Sequence, residues 1–190
     1  MIEPPAGAVP KDEFRAWARA ARAQVDWPET SRRVVAGLLR WEPLRLADTV
    51  LVFLPMPLEV DLNPLLEAAP VRRFVTTRTP DDRGTLSIHE LGGPLEVHRL
   101  GFLQPHARAP RVAPTDVDVF LLPGLAFDLW GNRLGRGAGY FDELLSHARS
   151  NATRVGVVPV SLVVDRLPTG PGDVIVRYLA TEEGVLAVAS

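Results

Sequence analysis

The chain has 190 residues, a formal net charge of -2 and no cysteine. That length builds one globular core, the near-neutral charge supplies no global field to gather nucleic acid or an anionic membrane, and the missing thiols exclude disulfides, thiolate nucleophiles and cysteine–zinc sites. Hydrophobic residues at 46% and charged residues at 23% complete an ordinary globular composition. The chain is expected to be cytoplasmic, a monomer or weak homodimer with small-molecule partners.

Residues 1–10 read as a flexible leader, with neither the basic start nor the apolar run of a secretory signal. Residues 11–190 read as one domain. Phe14, Trp17, Ala21 and Val25 recur at helical spacing and predict a helix from Lys11 to Val25, with Lys11, Arg15 and Arg22 on another face. Pro28 starts a second helix whose buried stripe is Val34, Val35, Leu38 and Leu39. Thr49–Leu54 is a continuous apolar run, as expected of a strand covered on both faces. It ends at Pro55 and Pro57, so the longest apolar stretch is too short to span a bilayer.

A short helix over 63–69 and strands over 73–77 and 85–90 follow. Residues 91–115, rich in Pro, Gly, His and Arg, read as mostly loop. Asp118–Pro123 is the second strongly buried strand. A helix over 139–149, a strand over 154–160 and a last strand over 173–180 close the chain. Strands alternating with helices predict an α/β fold, a mostly parallel sheet flanked by helices in a Rossmann-like layered sandwich. Ligands of such sheets sit at the carboxyl ends of the strands.

The segment Gly135-Arg136-Gly137-Ala138-Gly139-Tyr140-Phe141-Asp142 stands immediately ahead of a predicted helix. Glycine lets backbone approach a ligand closely, amides at a helix start attract anions, and Arg133 and Arg136 add fixed positive charge. Asp142 is placed to hold a magnesium ion against phosphates. The pattern is neither a Walker loop nor Gly-x-Gly-x-x-Gly. From composition it reads either as a phosphate site or as a tight strand-to-helix connection in which Asp142 merely favours the helix N-terminus. The four histidines, His89, His98, His106 and His147, show no metal-ligand spacing.

Leu122-Pro-Gly-Leu-Ala-Phe-Asp128 followed by Gly131-Asn-Arg-Leu-Gly-Arg-Gly-Ala-Gly-Tyr-Phe-Asp142 resembles the signature of the 5-formyltetrahydrofolate cyclo-ligases. Thinner likeness extends to Lys11 and Arg15 as a Lys-x-x-x-Arg helix start, to Leu54 through Asp61, and to Leu167, Pro168, Asp173, Thr181 and Glu182. Gly170 and Gly172 stand where the family has Glu and His. Gln104-Pro105 replaces its Glu-Pro, and Phe141 replaces a second tyrosine.

The resemblance implies ATP-dependent cyclisation of a reduced folate, with ATP as co-substrate and Mg2+ as cofactor. It implies nucleotide contacts from Lys11, Arg15, Arg133, Leu134, Gly135, Arg136, Gly137, Ala138, Gly139, Tyr140 and Phe141. It implies substrate contacts from Leu54, Met56, Glu59 and residues 136–140, catalytic roles for Arg136 and Asp142, and metal ligation by Asp142 and Asp173. The residues alone leave Lys11 and Arg15 open to being a solvated basic face, and Glu59 to being a surface acid after a turn. Arg72, Arg73 and Arg78 read as a solvated edge rather than a site for a polyglutamate tail.

Overall fold

The structure, a computed structural model, describes residues 2–7, 9–68, 73–81 and 84–189. In chain order the helices are α1 (Lys11–Arg22), α2 (Trp27–Arg40), α3 (Glu42–Arg45), α4 (Asn63–Ala68) and α5 (Tyr140–Ser146). The strands are β1 (Thr49–Leu51), β2 (Arg73–Arg78), β3 (Ser87–Glu90), β4 (Leu95–Val97), β5 (Leu103–Pro105), β6 (Arg111–Val112), β7 (Val119–Pro123), β8 (Ala126–Asp128), β9 (Arg133–Leu134), β10 (Thr153–Val157), β11 (Val163–Val164), β12 (Tyr178–Thr181) and β13 (Gly184–Ala187).

Eight strands form the main sheet in the order β13-β12-β10-β7-β1-β2-β3-β6. The run from β12 to β2 is parallel, and the antiparallel pairs lie at the two edges. Side-chain alternation on the central strands divides the core. Phe120 and Leu122 of β7 face α1 and α5, together with Leu51. Val119 and Leu121 face α2, α3 and α4, together with Val50 and Val52. The result is the layered α/β fold expected of strands that alternate with helices.

Helix boundaries follow local chemistry. α1 buries Phe14, Trp17, Ala18 and Ala21, as its spacing predicts, but stops at Arg22 rather than Val25. The reason is Asp26, which caps α2 by accepting from the Glu29 N–H at 3.2 Å, with Pro28 in the first turn. Arg22 is also not on the polar face: it is buried. β1 pairs for fewer residues than its apolar run suggests, because Pro55 and Pro57 remove donors beyond it. β10 ends before Pro159, and residues 173–177 precede β12 rather than pairing in it. α5 is shorter than expected and ends at Ser146, whose hydroxyl donates to Glu143 O at 2.7 Å.

Two regions were not foreseen. Residues 91–115 contain the β4–β5 hairpin and β6 rather than loop alone. Arg78 anchors that hairpin, donating to Glu96 and to Pro105 O at 2.9 Å. Gln104 is buried and bridges Thr79 and Glu96. Arg78 is therefore a buried strut and not a solvated edge; Arg73 pairs with Glu90 at 2.7 Å. Arg72 and the predicted helix end at Ala69 lie outside the described residues.

The other surprise is a small sheet, β11-β8-β9, in which the signature segment forms the β8–β9 hairpin and β11 pairs alongside β8. Its hairpin is tied by Asp128, which is fully buried and accepts from the N–H groups of Trp130, Asn132 and Leu167 and from the Asn132 amide at 2.8–2.9 Å. The Phe127 ring fits between Gly124 and Gly156. A Cβ at either glycine would lie 2.5 Å or 2.4 Å from ring carbons. Among the described residues no helix is long and apolar enough to cross a membrane.

Candidate active site

β1 pairs with β2 on one side and with β7 on the other, so the onward connections leave in opposite directions. That divergence is the topological switch point of the sheet, where open α/β sheets bind ligands. A cavity of about 430 Å3 lies there, lined by Phe53 and Leu54 beyond β1 and by Pro123 and Gly124 at the end of β7. The volume falls in the range of small-molecule sites.

One wall is ionic. α1 presents Lys11 and Arg15 one turn apart, and the chain from β9 into α5 presents Arg133, Arg136 and Asp142. Lys11 Nζ donates to Asp173 Oδ2 at 2.6 Å, and the Gly170 N–H reaches the same oxygen at 2.8 Å. Burial works against the Asp173 charge, but Lys11 and the Gly170 N–H outweigh it and hold its pKa below the usual value. Arg15 donates through Nε to Gly135 O at 3.1 Å and pairs with Asp12. Arg133, with its side chain only 5% exposed, reaches Asp142 Oδ2 at 2.9 Å. The other Asp142 oxygen accepts the Val174 N–H at 3.2 Å. Arg133 Nε is buried without a partner among the described residues.

Backbone shape sets this wall. Gly139 precedes α5 at φ +71 and Gly137 lies at φ +112, where a side chain would be strained. A Cβ at Gly137 would also stand 3.6 Å from the Arg15 guanidinium. With only seven residues in α5, the aligned peptide dipole is modest. The attraction for anions therefore rests on the cationic side chains more than on the helix start.

The opposite wall is apolar. Phe53, Leu54 and Met56 come from the chain after β1, and Leu86 from the approach to β3. Leu100, Phe102 and Leu103 come from the β4–β5 hairpin. Phe102 is stacked on the buried ring of His98 at 4.5 Å. Glu59 stands at the junction of the two walls. Its side chain, 8% exposed, receives Arg136 at 2.8 Å and the Met56 N–H at 3.0 Å. Arg22 lies 4.0 Å away on the buried side.

The cavity thus brings together Lys11, Arg15, Leu54, Met56, Glu59, Arg133, Arg136, Tyr140, Phe141, Asp142 and Asp173, with the backbone of Gly135 to Gly139. Leu134 departs from expectation: its side chain is 1% exposed and packs in the core, because β9 alternates and turns it away from Arg133. Trp130 stands outside the cavity, with Arg166 over its ring at 4.3 Å. The hairpin residues Leu100, Phe102 and Leu103 and the threonines Thr77 and Thr79 went unrecognised. The alternation of Leu95 with Val97 was the available signal for a strand there, and Gly101 and Pro94 masked it.

Among the described residues no group of three or more His, Cys, Asp or Glu is placed to hold a metal alone. Asp142 and Asp173 nevertheless line one cavity beside fixed cations. This donor set fits Mg2+ delivered by a phosphate ligand, which needs only one or two carboxylates plus phosphate oxygens and water.

A layered α/β domain with ionic and apolar walls facing each other at its switch point belongs to the class of small-molecule-binding α/β proteins. The chain belongs to the 5-formyltetrahydrofolate cyclo-ligase family, whose model matches residues 10–182. The 5-formyltetrahydrofolate cyclo-ligase of Escherichia coli is 29% identical over 164 residues, covering 83% of this chain and 90% of that one. The Mycolicibacterium smegmatis enzyme of the same name is 40% identical over 74 residues, a match that spans 38% of either chain. The structure is also similar to that of Aquifex aeolicus 5,10-methenyltetrahydrofolate synthetase. There the TM-score is 0.82 and the identity 31%, with 95% of this chain and 93% of that one covered.

Proposed function

We propose that this chain closes 5-formyltetrahydrofolate to 5,10-methenyltetrahydrofolate at the expense of ATP, releasing ADP and phosphate. The observation that carries the reading is the meeting of the two walls at Glu59, within one cavity. In this reading the ionic wall takes the triphosphate through Lys11, Arg15, Arg133, Arg136 and the Gly135–Gly139 backbone. The apolar wall takes the ring system, with Leu54 and Met56 against it and the Glu59 carboxylate accepting pterin N–H groups.

The formyl oxygen attacks the γ-phosphate, ADP leaves, and the formyl carbon becomes an activated phosphate ester. N10 then attacks that carbon, loses its proton, and phosphate departs. The protein forms no covalent bond. Its contribution is alignment and neutralisation of the charge that moves onto the bridging and equatorial oxygens. Arg136 supplies the neutralising positive charge from the cavity side. Asp142 keeps Arg133 fixed and, with Asp173, would hold Mg2+, which when bound neutralises phosphate charge. The same reading has the protein acting in the cytoplasm as a monomer or weak homodimer.

The test mixes purified protein, Mg-ATP and 5-formyltetrahydrofolate and follows methenyl absorbance and ADP together. Equal amounts of both products support the reading. ADP without methenyl product would mean a different acceptor, and neither product, with ATP still bound, would make the chain a binding protein.

A further inference from the structure

Glu59 has two arginine neighbours of opposite kinds. Arg136 is half-exposed, at 50%, and makes a single ion pair with Glu59 at 2.8 Å. Arg22 is 4% exposed and held on several sides. It donates to Gly124 O at 3.0 Å and to Leu58 O, and its guanidinium lies 5.0 Å from the centre of the Trp27 ring. Those bonds join α1, the end of β7 and the loop after β1 at one point. Leu58 is the only non-glycine residue with positive φ among the described residues, at +62. Such a backbone persists only when its surroundings hold it, and the bond from Arg22 to its carbonyl does so.

We infer that Arg22 is a positioning residue that keeps the Glu59 carboxylate paired and in place when Arg136 leaves it for an incoming phosphate. This rests on the site reading above. A phosphate entering the ionic wall competes with Glu59 for the exposed Arg136. A carboxylate as enclosed as Glu59 does not lose its nearer cation cheaply, and Arg22 remains 4.0 Å away as the second. Burial, reinforced by Arg136 and opposed by Glu59, draws the Arg22 pKa down to about 10, so it stays charged at neutral pH. Departure of Arg136 also uncovers Glu59 Oε1 as an acceptor for substrate N–H groups. Nucleotide and reduced folate are thereby coupled through one shared arginine, and by linkage each tightens the other.

The experiment compares KM for 5-formyltetrahydrofolate and for Mg-ATP in the full chain, in Arg22→Met, in Arg22→Lys and in each charge variant combined with Glu59→Gln. Arg22→Met is expected to raise the folate KM by about tenfold or more and the ATP KM by less, about threefold, because part of the loss falls on the departure of Arg136. Arg22→Lys keeps the charge without the planar fork and falls between, at about threefold. On the Glu59→Gln background the lysine substitution adds nothing further, because its effect passes through that carboxylate. Circular dichroism confirms folding, and if the methionine variant does not fold, the lysine pair decides. A folate KM unchanged in Arg22→Lys, equal rises in both KM values, or an effect additive with Glu59→Gln would each overturn the inference while leaving the activity standing. A wild-type chain that makes no methenyl product removes the site reading and this inference together.

Discussion

The wall formed by α1 and residues 133–142 works through charge, whereas the wall formed by the ends of β1 and β2 and the β4–β5 hairpin works through apolar area. On the first, cations and carboxylates stand already paired: Lys11 with Asp173, Arg133 with Asp142, Arg136 with Glu59. On the second, Leu100 and Leu103 are exposed and have few polar duties. A paired ionic wall is preorganised, since its side chains are held before a ligand arrives, and its worth grows where charge develops during reaction. An apolar wall contributes equally before and during reaction, and so sets affinity rather than rate.

The sharpest way to break this contrast is Arg136→Ala. Turnover is expected to fall by about a hundredfold or more, with the melting temperature within a few degrees of wild type, because the side chain is half-exposed. A threefold loss or less would mean that the ionic wall does not carry the rate. Asp128→Ala tests stability rather than rate. It strands several N–H donors in a dry hairpin and is expected to cost about 3 kcal/mol or more of unfolding free energy, read by urea denaturation. Phe102→Ala should raise the folate KM about tenfold, equivalent to about 1.4 kcal/mol, at unchanged ATP KM. A fall in kcat instead would erase the division between the walls.

The smallest effect is an acid limb. Asp118, like Asp173, has a folded pKa below its ordinary 3.8. Burial alone would raise the Asp118 value, but the Thr49 and Asp48 N–H groups and Arg149 together overcome it. For both residues the stabilisation is fully present above about pH 4 and drains away as pH falls through the lower folded values. Thermal melts between pH 7 and pH 3 should show a shallower acid decline in Asp118→Asn than in wild type.

The contrast also explains what could be read from the sequence. The ionic wall is nearly contiguous in Gly135 through Asp142, which composition left as either a phosphate site or a tight connection; helical spacing put Lys11 and Arg15 on one face, and only the family resemblance joined them to that wall. α1, α2, β1 and β7 declared themselves through long apolar periodicities. The apolar wall had no such voice. Its hairpin strands are three residues each and stand because Arg78 and Gln104 anchor them, a tertiary effect that the short alternation of Leu95 with Val97 only hints at. Arg22 was misplaced for a related reason: spacing gave it a polar face, and only the approach of Leu58 and Gly124 encloses it. Leu134 was carried along by its neighbours in the signature, although strand alternation turns it inward.

Phe127 lies behind the cavity, wedged between Gly124 at the exit of β7 and Gly156 in β10. The ring acts as a gauge block: its thickness fixes the gap between the main sheet and the hairpin that carries Arg133. Enlarging either glycine alone therefore jams the gauge, and thinning the ring should release it. Gly156→Ala is expected to misfold or lose turnover, and Gly156→Ala with Phe127→Leu to recover part of both. The tolerances of the ionic wall are thus set by a ring packed behind the cavity rather than lining it.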